Sequence, residues 1–244
     1  MKYAALALVC MIGPVMAYLL ILWISSLFVS RKKLYTTATP YYRWAIHSIC
    51  WVSLLFGHVR LIGDSLAGIP EGQALYVCNH RSNYDPVVLE WLLKRRKNTF
   101  VTKPENFGIF VVGQIARRNC CIPINRKNPR MALEAIAASA DLINKGEYSV
   151  TVFPEGTRSR EGKILEFHNA VFRIAKMAGV PVAAFYLDGT QKIKGNMPWK
   201  RTDVKVTVAD VISAEELKTM STVQIGNRIR NRYLQLNGEG TENE

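Results

Sequence analysis

The chain has 244 residues, 49% of them hydrophobic, and a formal charge of +13. That length suggests one domain or two with a sizeable core, and the basic surplus favours an anionic partner such as nucleic acid, an anionic membrane face or a phosphorylated metabolite. The basic residues are scattered, with neither zinc-finger spacing nor an obvious helix-turn-helix signal, which argues against nucleic acid. The five cysteines, Cys10, Cys50, Cys78, Cys120 and Cys121, include no C-x-x-C pair, so a reducing cytoplasm fits better than a secreted disulfide framework.

Residues 4–29 carry no charged side chain. As one helix they would reach about 39 Å, against a hydrocarbon core of roughly 30 Å. Gly13-Pro14 interrupts the run, and the part after it would reach only about 22 Å. A kinked spanning helix and a membrane-embedded half-helix both remain open, and a cleaved signal peptide is disfavoured. Arg31, Lys32 and Lys33 follow the run and only Lys2 precedes it, which places the rest of the chain on the cytoplasmic side of a cell membrane. Tyr41 to Phe56, with Trp44 and Trp51 among aliphatic residues, reads either as a helix at the membrane surface or as one packed on the core. Residues 1–57 thus form a membrane-associated unit, 58–236 a catalytic domain and 237–244 a polar tail.

From His58 onward, short apolar runs predict strands at 59–62, 75–78, 99–101, 121–124, 150–153, 182–187 and 204–208. Helical patterns occupy 87–97, 129–144 and 167–178, the last stopped by Gly179, and Ser213 with Glu216 resembles a capping box. The alternation predicts an α/β fold with a mixed, partly parallel sheet flanked by helices.

Three stretches could carry chemistry. In His80-Arg81-Ser82-Asn83-Tyr84-Asp85, five residues of helix would put the histidine and aspartate on different faces, so they meet only if a strand end turns into a helix there. Asp85 before Pro86 also suits a helix cap, and both readings stand. Of the histidines, His80 is the best candidate for a base, because none of the others has an aspartate close behind it. The second stretch, Val150 to Arg160, ends a strand in a Pro154-Glu155-Gly156 turn followed by Thr157, Arg158, Ser159 and Arg160. Such a loop suits a phosphate or an oxyanion, and could equally be a solvated loop. The third, Cys120 to Asn128, delivers Arg126 and Lys127 at a strand end, and Lys103 follows another. Ligands of α/β sheets collect beyond the carboxyl ends of the strands, where all of these residues fall.

These motifs resemble those of the glycerolipid acyltransferases. His80 and Asp85 match the H-x4-D motif, Phe153 to Ser159 match F-P-E-G-T-R-S, Arg126 fits the arginine closing the block between them, and Val180-Pro181-Val182 fits the apolar fourth block. Their order and spacing agree over roughly residues 58–210, and the whole is similar to the bacterial 1-acyl-sn-glycerol-3-phosphate (lysophosphatidic acid) acyltransferases. The resemblance implies direct transfer of an acyl group from acyl-CoA or acyl-carrier protein to the free hydroxyl of a lysophospholipid, giving phosphatidic acid. His80 would be the base and Asp85 its orienter. Arg126 and Arg158, with Lys103, would hold the acceptor phosphate, and Glu155, Gly156 and Thr157 would shape the acceptor loop. Neither a metal nor a cofactor is implied. The chain departs from the family at Phe167-His168-Asn169-Ala170, where many members have F-K-x-G, and at Ala184, where a second proline is common. Another lysolipid acceptor, a membrane-associated esterase and a non-catalytic binder of anionic lipid are the alternatives. The esterase lacks a G-x-S-x-G elbow.

Overall fold

The computed structural model describes residues 2–63, 66–159 and 161–238, except for the side chains of 2–11 and of Ala67. Arg160 and most of the polar tail lie outside the described residues, as does the Cys10 side chain. Among the described residues, seven strands form the sheet: β1 (Val59–Gly63), β2 (Leu75–Cys78), β3 (Asn98–Thr102), β4 (Ile122–Pro123), β5 (Ser149–Val152), β6 (Val182–Asp188) and β7 (Thr202–Ile212). Their order is β1-β7-β6-β2-β5-β3-β4, and the β6–β7 pair alone is antiparallel. The five strands β2 to β6 therefore all run the same way and end at one edge.

Both faces of the sheet are covered, which is why its central strands read as continuous apolar runs rather than alternating ones. Side chains still alternate strictly between the faces. In β2, Leu75 and Val77 join one core with Ile136 of α5 (Pro129–Asn144), Ile174 of α6 (Arg173–Ala178) and Ile229 of α9 (Thr222–Asn237). Tyr76 and Cys78 point to the other face, against Leu54 of α2 (Pro40–Phe56) and Leu89 of α3 (Asp85–Leu92).

Most elements agree with the sequence pattern within a residue or two. The differences have local causes. Helix α3 gives way after Leu92 to a 3-10 turn at Lys94–Arg96, and Lys97, at φ 41, ends it. The 167–178 pattern splits into a 3-10 turn at Asn169–Phe172 followed by α6. Strand β7 is longer than expected because it pairs with both β1 and β6, and it absorbs a bulge opposite Ala184/Phe185. The chain also contains α4 (Val112–Arg118), too short for its period to be read, and α7 (Ile193–Asn196). Its end carries α8 (Ala214–Thr219) and α9, each opened by a capping box, at Ser213 and Ser221.

Helix α1 (Lys2–Leu27) runs through Pro14 without ending. It is held by Leu22 against Ala45 and Ile115, by a hydrogen bond between the Tyr18 and Ser48 hydroxyls, and by one from Tyr42 to the Ser25 carbonyl. Much of the rest of its described surface is apolar and exposed, including Met16, Leu19, Leu20, Ile24 and Leu27. Helix α2 is two-sided: Ala45, Cys50 and Leu54 are buried, whereas Trp44 and Trp51 are exposed. Among the described residues no helix is long and apolar enough to cross a membrane, so the spanning form left open by the sequence is not shown.

Candidate active site

The loop between β2 and α3 brings His80 and Asp85 together. His80 Nδ1 lies 2.8 Å from Asp85 Oδ2. Asp85 does not cap α3. It is the first residue of the helix, and its carboxylate reaches back into the loop to accept the Arg81 and Ser82 N–H groups, each at 2.7 Å. The other oxygen, Oδ1, accepts the hydroxyl of Thr190 at 2.6 Å. With four donors and the positive end of α3 around it, a fully buried carboxylate keeps its place without a salt bridge to lysine or arginine.

The His80 ring stacks on Phe153, with centroids 4.3 Å apart and planes 24° from parallel. The β5 turn thus packs directly against the β2 turn. Glu155 ties them together. Its Oε1 accepts the His80 N–H at 2.7 Å, its Oε2 accepts the Leu165 N–H at 3.1 Å, and the Ser159 N–H returns to the His80 carbonyl. Burial pushes the Glu155 carboxyl up to about 7, although both N–H donors pull the other way. Glu155 therefore shapes the loop from inside, while Thr157 and Arg158 face solvent.

Gly156 sits at φ +72, and a Cβ there would lie 2.5 Å from Arg126 Nη1 and 2.8 Å from His168 Nε2. Only glycine lets the loop come this close to both groups. Arg126, delivered from the end of β4, therefore meets the Glu155–Arg158 turn from the side, and partial burial lowers its pKa. No hydrogen bond or ion pair ties its guanidinium among the described residues, which leaves an unused fork beside the turn. Lys103, exposed at the end of β3, stands at the same edge of the sheet. The residues expected from the sequence are thus gathered at one edge, with His80, Asp85 and Glu155 hydrogen-bonded and, among the described residues, no hydrogen bond or ion pair on Lys103, Arg126 or Arg158.

No group of three His, Cys, Asp or Glu side chains among the described residues is placed to hold a metal ion. Burial pushes the Cys121 thiol up to about 11 and the Cys120 thiol to about 12, far from a reactive thiolate.

Residues 62–188 match the family described as Acyltransferase. The chain belongs to that family. This acyltransferase is 31% identical over 167 residues to the 1-acyl-sn-glycerol-3-phosphate acyltransferase of Cocos nucifera, covering 64% of the chain and 52% of that protein. It is 34% identical over 119 residues to the protein of the same name from Salmonella typhimurium, covering 49% of the chain and 48% of the relative. It therefore spans about half the length of the curated relatives it matches. Its fold is similar to the crystal structure of the 1-acyl-sn-glycerophosphate (LPA) acyltransferase PlsC from Thermotoga maritima, with a TM-score of 0.67 and 20% identity over 90% of this chain and 86% of that one.

Sequence reasoning missed three supporting groups of this acyltransferase. Thr190 follows Gly189, whose φ of 99 swings the chain back toward Asp85 after β6. Nothing in the sequence linked positions 105 residues apart. The second is Asn79, which both donates to the Leu187 carbonyl and accepts the Leu187 N–H, fastening the His80 turn to β6. The third is Arg81, buried over the Tyr186 ring and bonded to Asp188, the Gly162 carbonyl and Asn237. Its place between His80 and Ser82 was the only available signal.

Proposed function

We propose that this acyltransferase moves an acyl group from acyl-CoA or acyl-carrier protein to the free hydroxyl of 1-acyl-sn-glycerol-3-phosphate, giving phosphatidic acid. The observation that carries the reading is the 2.8 Å contact of His80 Nδ1 with Asp85, one turn away from an unused Arg126 fork. With Nδ1–H donated to the carboxylate, Nε2 keeps its lone pair. Nε2 takes the proton of the acceptor hydroxyl as that oxygen attacks the thioester carbonyl. The tetrahedral intermediate then expels the thiolate, which takes the proton from the imidazolium. Asp85 holds the tautomer and stabilises the transient cation, and no residue of the enzyme is acylated. Arg126 and Arg158, with Lys103, hold the acceptor phosphate, and a guanidinium fork matches that group in shape as well as charge. Gly156 and Thr157 give the loop its close approach. No cofactor beyond the acyl donor takes part.

The exposed apolar side of α1, the tryptophans of α2 and the basic Arg31-Lys32-Lys33 that follow α1 support embedding in one face of the cell membrane, with the catalytic domain on the cytoplasmic side. Lysolipid substrate then arrives by diffusion in the plane of the bilayer. Assaying the purified protein with lysophosphatidic acid and with a monoacylglycerol lacking phosphate tests the reading. A strong preference for the phosphate-bearing acceptor is expected, and equal use of both would overturn the assigned head group.

A further inference from the structure

Between the carboxyl end of α1 and the segment that links β3 to α4 lies a cavity of about 400 Å³. Its apolar wall includes Trp23, Leu27, Phe107 and Phe110, and two guanidiniums, Arg31 and Arg117, also line it. No acidic side chain does. Neither arginine forms an ion pair among the described residues. Arg117 stacks over the Phe107 ring at 4.2 Å, and its Nε is buried without a hydrogen-bond partner, as is Gln114 Oε1 in the same cavity wall. An unpaired buried donor is costly, and Arg117 Nε beside two cations without an acidic partner describes a place for an anionic group.

The rim is built to face lipid. Phe110 is 76% exposed and Ile109 is 53% exposed. Val111, between Phe110 and α4, is held at φ 59 and ψ −59, and the Val112 N–H closes a three-residue turn onto the Phe110 carbonyl at 2.6 Å. A β-branched residue resists this conformation, so the turn that presents Ile109 and Phe110 is strained. The exposed Leu27 and Phe28 continue the same apolar surface along α1.

We propose that this cavity binds one anionic membrane phospholipid, its phosphate between Arg31 and Arg117 and the upper part of an acyl chain against Trp23, Leu27 and Phe110. The lipid would pin the end of α1 to the 104–117 segment and so hold the domain at a fixed height on an anionic bilayer. The inference rests on the membrane attachment proposed above and not on the acceptor chemistry.

Flotation of the full chain with phosphatidylcholine vesicles, and with vesicles that also contain phosphatidylglycerol, tests it at high ionic strength, where scattered surface charge is screened. The parent should gain affinity from phosphatidylglycerol. Arg31→Lys with Arg117→Lys keeps the charge but removes the forks and the stacking, and should weaken binding to the anionic vesicles about tenfold or more while leaving binding to neutral vesicles unchanged. A photoactivatable phosphatidylglycerol should label residues 104–117 in the parent and not in the double variant. If the Lys variant behaves as the parent, or the parent gains nothing from phosphatidylglycerol, the site is overturned while membrane attachment stands. Loss of binding to both vesicle types would assign the pair to the folding of α1 and overturn it as well. A parent that binds neither vesicle would fail the attachment reading itself.

Discussion

The edge of the sheet and the outward face of the N-terminal helix pair are built on opposite plans. At the edge, the anionic groups beside His80 are buried and hydrogen-bonded. Asp85 holds four donors, Glu155 two, and Asn79 bonds the β6 backbone twice. On the outward side of α1 and α2 large apolar side chains stand in the open, while the inward side of α2 is tied to the buried Glu90 by Arg43 and His47. The contrast fits a division of labour. Proton transfer needs groups fixed within fractions of an ångström, whereas holding a protein at a lipid surface needs area and no fixed geometry.

If that division is right, disturbing the edge should change rate and disturbing the helix pair should change location. The largest effect is expected from Asp85→Asn. The amide cannot hold the imidazolium, and its NH2 group opposes at least one of the donors that Asp85 now accepts, so turnover should fall by about 10²–10⁴-fold. The steady-state rate on vesicles measures it, and flotation should be unaffected.

Replacing Arg126 or Arg158 with alanine should raise the KM for lysophosphatidic acid by roughly 10- to 150-fold and that for the acyl donor little. Lysine should restore only part of the loss. Equal losses with lysophosphatidic acid and a monoacylglycerol would assign these cations to the donor or the fold.

Thr190→Val removes one of four hydrogen bonds to Asp85 and should lower kcat about tenfold with KM unchanged. Thr190→Ser should restore the rate, which a purely steric role would not require.

The mildest effect is a slope in stability. Burial raises the folded-state pKa of Glu155 to about 7, above its unfolded value of 4.5. Its contribution is therefore full below pH 4.5 and lost as pH rises through 7. Relative to Glu155→Gln, which does not titrate, the parent should lose stability over that window by no more than about 1.4 kcal/mol per pH unit. Denaturation in detergent at several pH values measures the slope.

The grouping of the candidate residues was legible in the sequence because parallel strands deliver their carboxyl ends to a common edge, so His80, Lys103, Arg126 and Glu155 could be grouped by the strand ends they follow. Hydrophobic period located the strands because the sheet is covered on both faces. Two kinds of information were not local. Thr190 reaches Asp85 across the sheet, and His168 and Arg126 each close on Gly156, where a side chain would meet them both. His168 occupies the place where the resembled family often has lysine, so an imidazole lies against the Gly156 turn here. Helix α4 was missed because its seven residues are too few to display a period.

Acyl transfer as proposed depends on His80. The decisive measurement is acyl transfer to lysophosphatidic acid by His80→Ala, with the fold checked by circular dichroism and membrane binding checked by flotation on the same sample. A loss of about 10²–10⁴-fold in a folded, membrane-bound protein is the predicted result. Near-parental turnover in that protein would contradict it, and would leave the edge of the sheet as a site that binds anionic lipid without acting on it.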